Sequence, residues 1–205
     1  PGEDKLGGDP EEDPRTMSGT AKIEDATLTP SKLELLAGWL PSQSWFKGSP
    51  DDLTRVASYR FVDPDGEVGI ETILVRSAGV TYQVPLTYRS APLDEAADAL
   101  VGTMEHSVLG TRYTYDAVAD PVYVVELLRV IHEGDTEADL SRGEKSMTVE
   151  GSGIVLVSNA AGESARLVRV LDGSHVPGTR QPLGTLTGKW AEESGDQEQV
   201  LAVIR

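Results

Sequence analysis

The sequence contains no cysteine, which removes disulfide frameworks, thiolate zinc sites and cysteine nucleophiles together. Histidine is nearly as scarce, with three in 205 residues. His106, His132 and His175 are too scattered to give a metal-ligand spacing. No apolar run approaches the roughly 20 residues that span a bilayer, and the N-terminus lacks the basic, apolar, small-residue series of a secretory leader. Positive charge is in deficit as well. With 34 acidic against 18 basic residues the formal net charge is −16, and the sequence has no run of Lys and Arg. Nucleic acid and membrane surfaces are bound through such runs, so neither is an expected partner. The acidity reads as a solubilising surface, and the pattern as a whole predicts a cytoplasmic protein.

What is present suffices for one generous domain or two small ones. Residues 1–16 hold six acids and a single leucine among several Gly and Pro, a composition that reads as a disordered, tag-like tail. Met17-Ser18-Gly19 then looks like a natural start, with a genuine acidic tail as the alternative. A first helix is predicted near Leu28–Pro41. Either Thr29 caps it with Pro30 in the first turn, or Ser31 and Glu34 form a capping box. Leu33, Leu36, Ala37 and Leu40 share one face, and Pro41 is expected to stop the helix.

Strand patterns follow at 55–62, 67–76 and 80–88, joined by the turns Asp63-Pro64-Asp65-Gly66 and Ser77-Ala78-Gly79. Pro85 lacks a ladder donor and predicts an edge strand or a bulge. Two more strands are expected at 99–105 and 108–116. Asp120-Pro121 opens a second helix with a stripe of Val124, Leu127, Leu128 and Ile131, ending near Gly134. The polar run 135–146 reads as a linker. Beyond it 147–157, 165–172, 183–190 and 198–204 predict a four-stranded all-β unit packed on, or extending, the first sheet. The organisation is thus a tail (1–16), an α+β domain (17–134), a linker (135–146) and a β-rich unit (147–205). The fold class is α+β, with an antiparallel sheet packed on one or two helices.

Three segments carry a resemblance. Leu36-Ala37-Gly38-Trp39-Leu40-Pro41-Ser42-Gln43-Ser44-Trp45-Phe46-Lys47-Gly48 is similar to the opening of actinobacterial maltokinases. Tyr82-Gln83-Val84-Pro85-Leu86 resembles a strand of the same family, and Tyr115-Asp116-Ala117-Val118-Ala119-Asp120-Pro121-Val122-Tyr123 the segment before the last helix of its N-terminal cap. Over roughly residues 28–132 the resemblance implies a cystatin-like cap, a helix embraced by an antiparallel sheet. Residues 147–172 resemble more weakly the strands that begin the kinase small lobe. The family's ATP, metal and sugar are carried on a large helical lobe for which the remaining residues leave no room. An arginine that precedes the tryptophan in the family is Ser44 here. The resemblance therefore implies a cap that is not itself catalytic, associated with trehalose, maltose or α-glucan metabolism.

Catalytic motifs are weak. His132-Glu133-Gly134-Asp135 looks like a phosphotransferase loop with an inserted Glu, but it falls at a helix end. Gly151-Ser152-Gly153 lacks the helix whose N-terminus would hold phosphate. In Glu105-His106-Ser107 the imidazole faces away from both neighbours. Asp63-Pro64-Asp65-Gly66 is explained as a turn, and a branching activity needs paired carboxylates on a barrel scaffold that is not here. No catalytic residue, cofactor or metal is expected. Trp45 and Phe46, expected to be partly exposed, together with Gln43, His106, Arg112 and Tyr115, are the candidate contacts to a ligand or partner. The predicted function is an interaction module with a protein partner or a second copy of itself. A maltosaccharide-type binding protein is the alternative, and an enzyme with an unrecognised site the third.

Overall fold

The computed structural model describes residues 19–153, 164–173 and 181–205. The predicted tail, His175 and residues 154–157 of one predicted strand lie outside them. Thirteen strands and two α-helices follow in order among the described residues. The N-terminal part holds β1 (Thr20–Ala21), β2 (Leu28–Thr29), α1 (Lys32–Trp39), β3 (Thr54–Val62), β4 (Gly69–Ser77), β5 (Val80–Arg89), β6 (Leu100–His106), β7 (Gly110–Asp116) and α2 (Pro121–Glu133). After these come β8 (Asp139–Leu140), β9 (Met147–Gly151), β10 (Ala165–Leu167), β11 (Val170–Leu171), β12 (Gly184–Glu192) and β13 (Gly195–Ile204). The fold is α+β and almost wholly antiparallel. The main sheet runs β2-β6-β7-β5-β4-β3, with β11 added to β5. A second sheet runs β10-β13-β12-β9, and β1 and β8 form a small parallel pair. No helix among the described residues is long and apolar enough to cross a membrane.

Local chemistry explains most boundaries. Ser31 caps α1 in a capping box with Glu34, so Thr29 and Pro30 lie outside the helix. α1 ends at Trp39 with Leu40 as its C-cap, immediately before Pro41 as expected. Pro41 itself sits in the 3-10 turn Leu40–Ser42 that follows, where its missing N–H is no loss. The β3–β4 turn closes as expected, with Gly66 N–H donating to Asp63 O at 2.9 Å. β4 begins at Gly69 rather than at residue 67, because the Asp63 carboxylate takes the N–H groups of Glu67 (3.0 Å) and Val68 (2.8 Å). α2 starts with Asp120 accepting from Val122 N–H and ends on Gly134 in the left-handed conformation. Its buried stripe is Tyr123, Leu127, Val130 and Ile131, while Val124 and Leu128 are only partly buried. The apolar spacing missed Tyr123, whose ring completes the core against the sheet.

Pro85 lies in the interior of the main sheet, between β4 and β7, rather than on an edge. The gap in its other flank makes this possible. β7 pairs only with Leu86–Arg89 and β11 only with Thr81–Tyr82. Gln83 N–H points away from β4, to Arg169 O at 2.8 Å. Two residues on, a proline on the same side leaves no ladder bond unmade.

Period-2 alternation gives the main sheet two working faces. On one, Ile73, Val75, Tyr82, Val84, Leu86 and Met104 pack against Leu36 and Leu40 at α1. On the other, Tyr59, Phe61, Ile70 and Leu74 pack against α2 and against Met147, Leu186, Trp190 and Leu201 of the second sheet. That second core is shared by residues from both halves of the chain. In the polar run 135–146, Asp135, Glu137 and Ala138 are buried. Glu137 accepts from Val149 N–H at 2.7 Å and pairs with Lys145 at 3.0 Å. Gly151 is where the second sheet touches α2 most closely: a Cβ there would lie 2.0 Å from Val130 O.

Candidate functional site

The predicted strand at 165–172 is broken. β10 pairs with β13 in the second sheet, Val168 and Arg169 cross over, and β11 pairs with β5 in the main sheet. The crossing is held by the polar side chain Gln83, which is fully buried. Its Nε2 donates to Val168 O (2.8 Å) and Leu201 O (2.9 Å), while its Oε1 accepts from the Tyr59 hydroxyl at 3.2 Å. A buried amide with both ends satisfied fixes one register between the two sheets.

Arg169 completes the joint. One of its terminal nitrogens, Nη2, donates to both Asp116 carboxylate oxygens at 2.7 and 2.6 Å. The guanidinium lies over the Trp45 ring, 4.9 Å from its centroid. Such a contact contributes about 0.5–2 kcal/mol beyond the ion pair. Trp45 itself touches Trp39 edge-on at 6.0 Å and leans on Tyr82 at 6.2 Å. Trp45, Gln83 and Asp116 come from three separate stretches of the N-terminal part and meet on two consecutive residues of the C-terminal part. A guanidinium does sit on this tryptophan, although Ser44 precedes it: it arrives from 124 positions downstream, as Arg169.

The other predicted contact residues fall into two sets. Phe46 is buried, 4.9 Å from the Tyr82 ring, rather than partly exposed. The segment Trp45-Phe46 turns this ring inward against the α1 face of the sheet, which is the physical reason. Gln43 is half-buried and donates to Ser42 Oγ at 2.9 Å. Tyr115 is buried, its hydroxyl accepting from Leu93 N–H at 2.8 Å. His106 and Arg112 lie elsewhere, on the β6–β7 hairpin. His106 Nδ1 accepts from the backbone N–H of Val108 (3.3 Å) and Leu109 (3.1 Å), and Arg112 donates to Leu109 O. Ser107 exchanges hydrogen bonds with Thr27 at 3.0 Å each way. This internally tied tip presents Val108 (55% exposed) and Leu109 (47%) to solvent.

Beside the hairpin lies a cleft of about 630 Å³. Leu109, His106, Arg112, Lys32 and Arg60 are among its walls. A second cleft of about 400 Å³ shares Lys32 and Arg60 with it. Glu71, 2% exposed and directly opposite Arg60 across β3–β4, is among the walls of the second cleft. Its carboxylate takes Lys32 and Tyr88 (2.9 Å) and faces Arg60 at 3.1 Å and Arg55 at 3.5 Å. Burial alone would raise the Glu71 pKa, but the charges of Lys32 and Arg60 outweigh it and hold the group at about 2. Burial, aided by the neighbouring guanidinium groups, lowers Lys32 despite its contact with Glu71. The asymmetry follows from stoichiometry: one carboxylate is shared by three cations.

The weak motifs resolve into structural roles. Asp135 of His132-Glu133-Gly134-Asp135 is buried and accepts from Arg129 at 2.8 Å, so the helix end is locked rather than frayed. Arg129 also holds Glu126 (2.9 Å) and Glu133 (2.7 Å). Asp120 caps α2 and receives two 2.7 Å bonds from Arg89. Burial would raise its pKa, yet those hydrogen bonds keep it below the ordinary carboxylate value. Among the described residues no group of three or more His, Cys, Asp or Glu is placed to hold a metal ion.

Sequence reasoning found Trp45 and Arg112 but not Gln83, Asp116 or Arg169, nor the Lys32–Arg60–Glu71 set. The available signal was a polar residue inside an apolar strand: Gln83 within 80–88 and Glu71 within 69–75. Such a residue is buried only when something distant satisfies it. Residues 39–120 match the family model of the maltokinase N-terminal cap domain.

Proposed function

With a maltokinase-type cap as the premise, we propose that this protein is a non-catalytic docking module whose cap grips β-structured polypeptide and presents the β6–β7 hairpin to a further protein partner. The observation that carries the reading is the convergence of Trp45, Gln83 and Asp116 on Val168 and Arg169. Residues in the three stretches that resemble the family are occupied in holding a strand crossing, with main-chain hydrogen bonds, one ion pair and one stacked ring. That is the chemistry of strand addition combined with a charged anchor, and it serves recognition without any reacting atom. The outward face is supplied by Val108 and Leu109, whose backbone is already fixed by His106, Ser107 and Arg112. A preorganised apolar tip loses little entropy on binding. The partner class this fits is an enzyme of trehalose, maltose or α-glucan metabolism.

The test has two arms. Cross-linking and affinity capture from a native lysate are expected to retain a protein of that metabolism through cross-links at residues 106–112. The double variant Val108→Asp, Leu109→Asp is expected to abolish retention. In parallel, ATP with maltose is expected to give no phosphorylated sugar. Turnover in that assay, or a strictly monomeric protein that retains nothing, counts against the reading. A maltosaccharide binder is the weaker alternative, because Arg169, Trp39 and Tyr82 already occupy the surroundings of Trp45. Flat tryptophan fluorescence with maltose, maltotriose and trehalose is expected.

A further inference from the structure

The β6–β7 tip is built on a titratable acceptor. His106 Nδ1 receives the backbone N–H groups of Leu109 at 3.1 Å and of Val108 at 3.3 Å. A ring nitrogen that accepts carries no proton, so the neutral imidazole here bears its proton on Nε2. A second proton, placed on Nδ1, would bring three donors to one point with no acceptor among them. The ring must then turn away, and both amides lose their partner together. The other ties of the hairpin involve no group that titrates with an imidazole: Ser107 with Thr27, Arg112 to Leu109 O, and the ladder pair His106–Gly110. Protonation of His106 therefore frees the backbone of Val108 and Leu109 without opening the hairpin.

The charges around the ring are mixed. Glu24, Asp63 and Glu67 share the walls of its cleft with Lys22, Lys32, Arg60 and Arg112. Glu105, the preceding residue, accepts from the Thr111 hydroxyl at 2.8 Å, and Leu28, the register partner on β2, is apolar. Glu24 is the carboxylate that feels the ring. Its hydrogen bond with Lys22 holds it below the ordinary carboxylate value, and the His106 charge adds to this in smaller measure. An imidazolium released from the two amides thus has a carboxylate within reach of its charge.

We propose that His106 gates the docking tip by its protonation. Neutral, it fixes the backbone of Val108 and Leu109 and presents the apolar pair ready to bind. Charged, it releases them, and the pair loses the preorganised geometry that limits the entropy lost on binding. Imidazoles take up their proton between about pH 8 and about pH 5, which sets the range of the gate. The gate rests on the reading of Val108 and Leu109 as the docking surface, and it regulates that same surface.

The experiment follows the full chain by proton–nitrogen NMR from about pH 8 to about pH 5. At the alkaline end His106 is expected as the Nε2–H tautomer. The amide signals of Val108 and Leu109 are expected to move with the midpoint of that ring. Their hydrogen exchange, corrected for its intrinsic pH dependence, is expected to accelerate at least about fivefold. His106→Asn keeps an uncharged acceptor at the δ position and is expected to hold both amides across the range. His106→Ala is expected to leave them fast-exchanging throughout. Amides that stay fixed through the ring titration, an Nδ1–H tautomer at the alkaline end, or shifts that follow a carboxylate near about pH 4 would overturn the gate. Capture from lysate at the two ends of the range separates the gate from docking itself. Retention is expected to fall about fivefold at the acid end for the natural protein and not for His106→Asn. Equal falls in both proteins, or none in either, would overturn the gate. Undiminished retention by Val108→Asp with Leu109→Asp at the alkaline end would overturn the docking reading, and the gate with it, even where the amides titrate.

Discussion

Asp116 and Glu71 are both buried carboxylates on the main sheet, and they are neutralised in different proportions. Asp116 meets one guanidinium, Arg169, which also lies on an aromatic ring. Glu71 meets three cations beside the smaller cleft. The first arrangement is charge-balanced and closed, so it holds two sheets together. The second gathers Lys32 of α1 and Arg55 and Arg60 of β3 on one carboxylate of β4, so it ties a helix and an edge strand to the inside of the sheet. Counting the partners of each buried acid shows which elements it ties together, where burial alone does not.

The comparison is broken most severely at Glu71. Glu71→Gln leaves three cations facing one another with no counter-charge, and a loss of about 3–5 kcal/mol is expected in urea denaturation. A loss under about 1 kcal/mol would mean the cations do not depend on that carboxylate. Acid titration sharpens the same point. Glu71 ionises at about 2 in the folded protein against 4.5 for an ordinary glutamate. A depressed folded value means that the unfolded chain binds the proton first. The contribution of Glu71, on the order of 3 kcal/mol, is therefore present above about pH 4.5 and lost as pH falls toward 2. Thermal melts across that range are expected to be steeper in pH for the natural protein than for Glu71→Gln.

Asp120 offers a balanced acid of the first kind for reference. Asp120→Ala removes the α2 cap and the partner of Arg89 together, with an expected cost of about 2–3 kcal/mol by the same denaturation. The smallest change in stability is expected at the hairpin tip. Val108→Asp with Leu109→Asp alters exposed side chains only, so the unfolding free energy stays within about 0.5 kcal/mol while partner capture is lost.

How much of this was legible depended on distance along the chain. The Ser31–Glu34 capping box, the Asp63–Gly66 turn and the Asp120-Pro121 helix start are each decided within about five residues, and sequence chemistry reads them directly. Pro85 misled because its exemption comes from a gap between β7 and β11, strands 24 or more residues away. Arg169 reaches Asp116 across 53 positions, and no local pattern announces the pair. Trp45 stood out as an aromatic near a proline break, but Tyr82, 37 positions downstream, draws both it and Phe46 onto the sheet, and Phe46 is buried there. Arg112 was singled out as an exposed polar contact, and it donates to the backbone carbonyl of Leu109 in its own hairpin. Its place on the wall of one cleft with Lys32 and Arg60 required the fold to bring α1, β3 and β7 together.

The joint between cap and C-terminal segment is tested most directly by a double-mutant cycle on Asp116→Ala and Arg169→Ala, read as unfolding free energies. A coupling of about 2–3 kcal/mol is predicted, since each partner left alone is a buried, unpaired charge. A coupling below about 0.5 kcal/mol would contradict it, because the two side chains would then stabilise the protein independently and the cap would not be gripping the strand through Arg169.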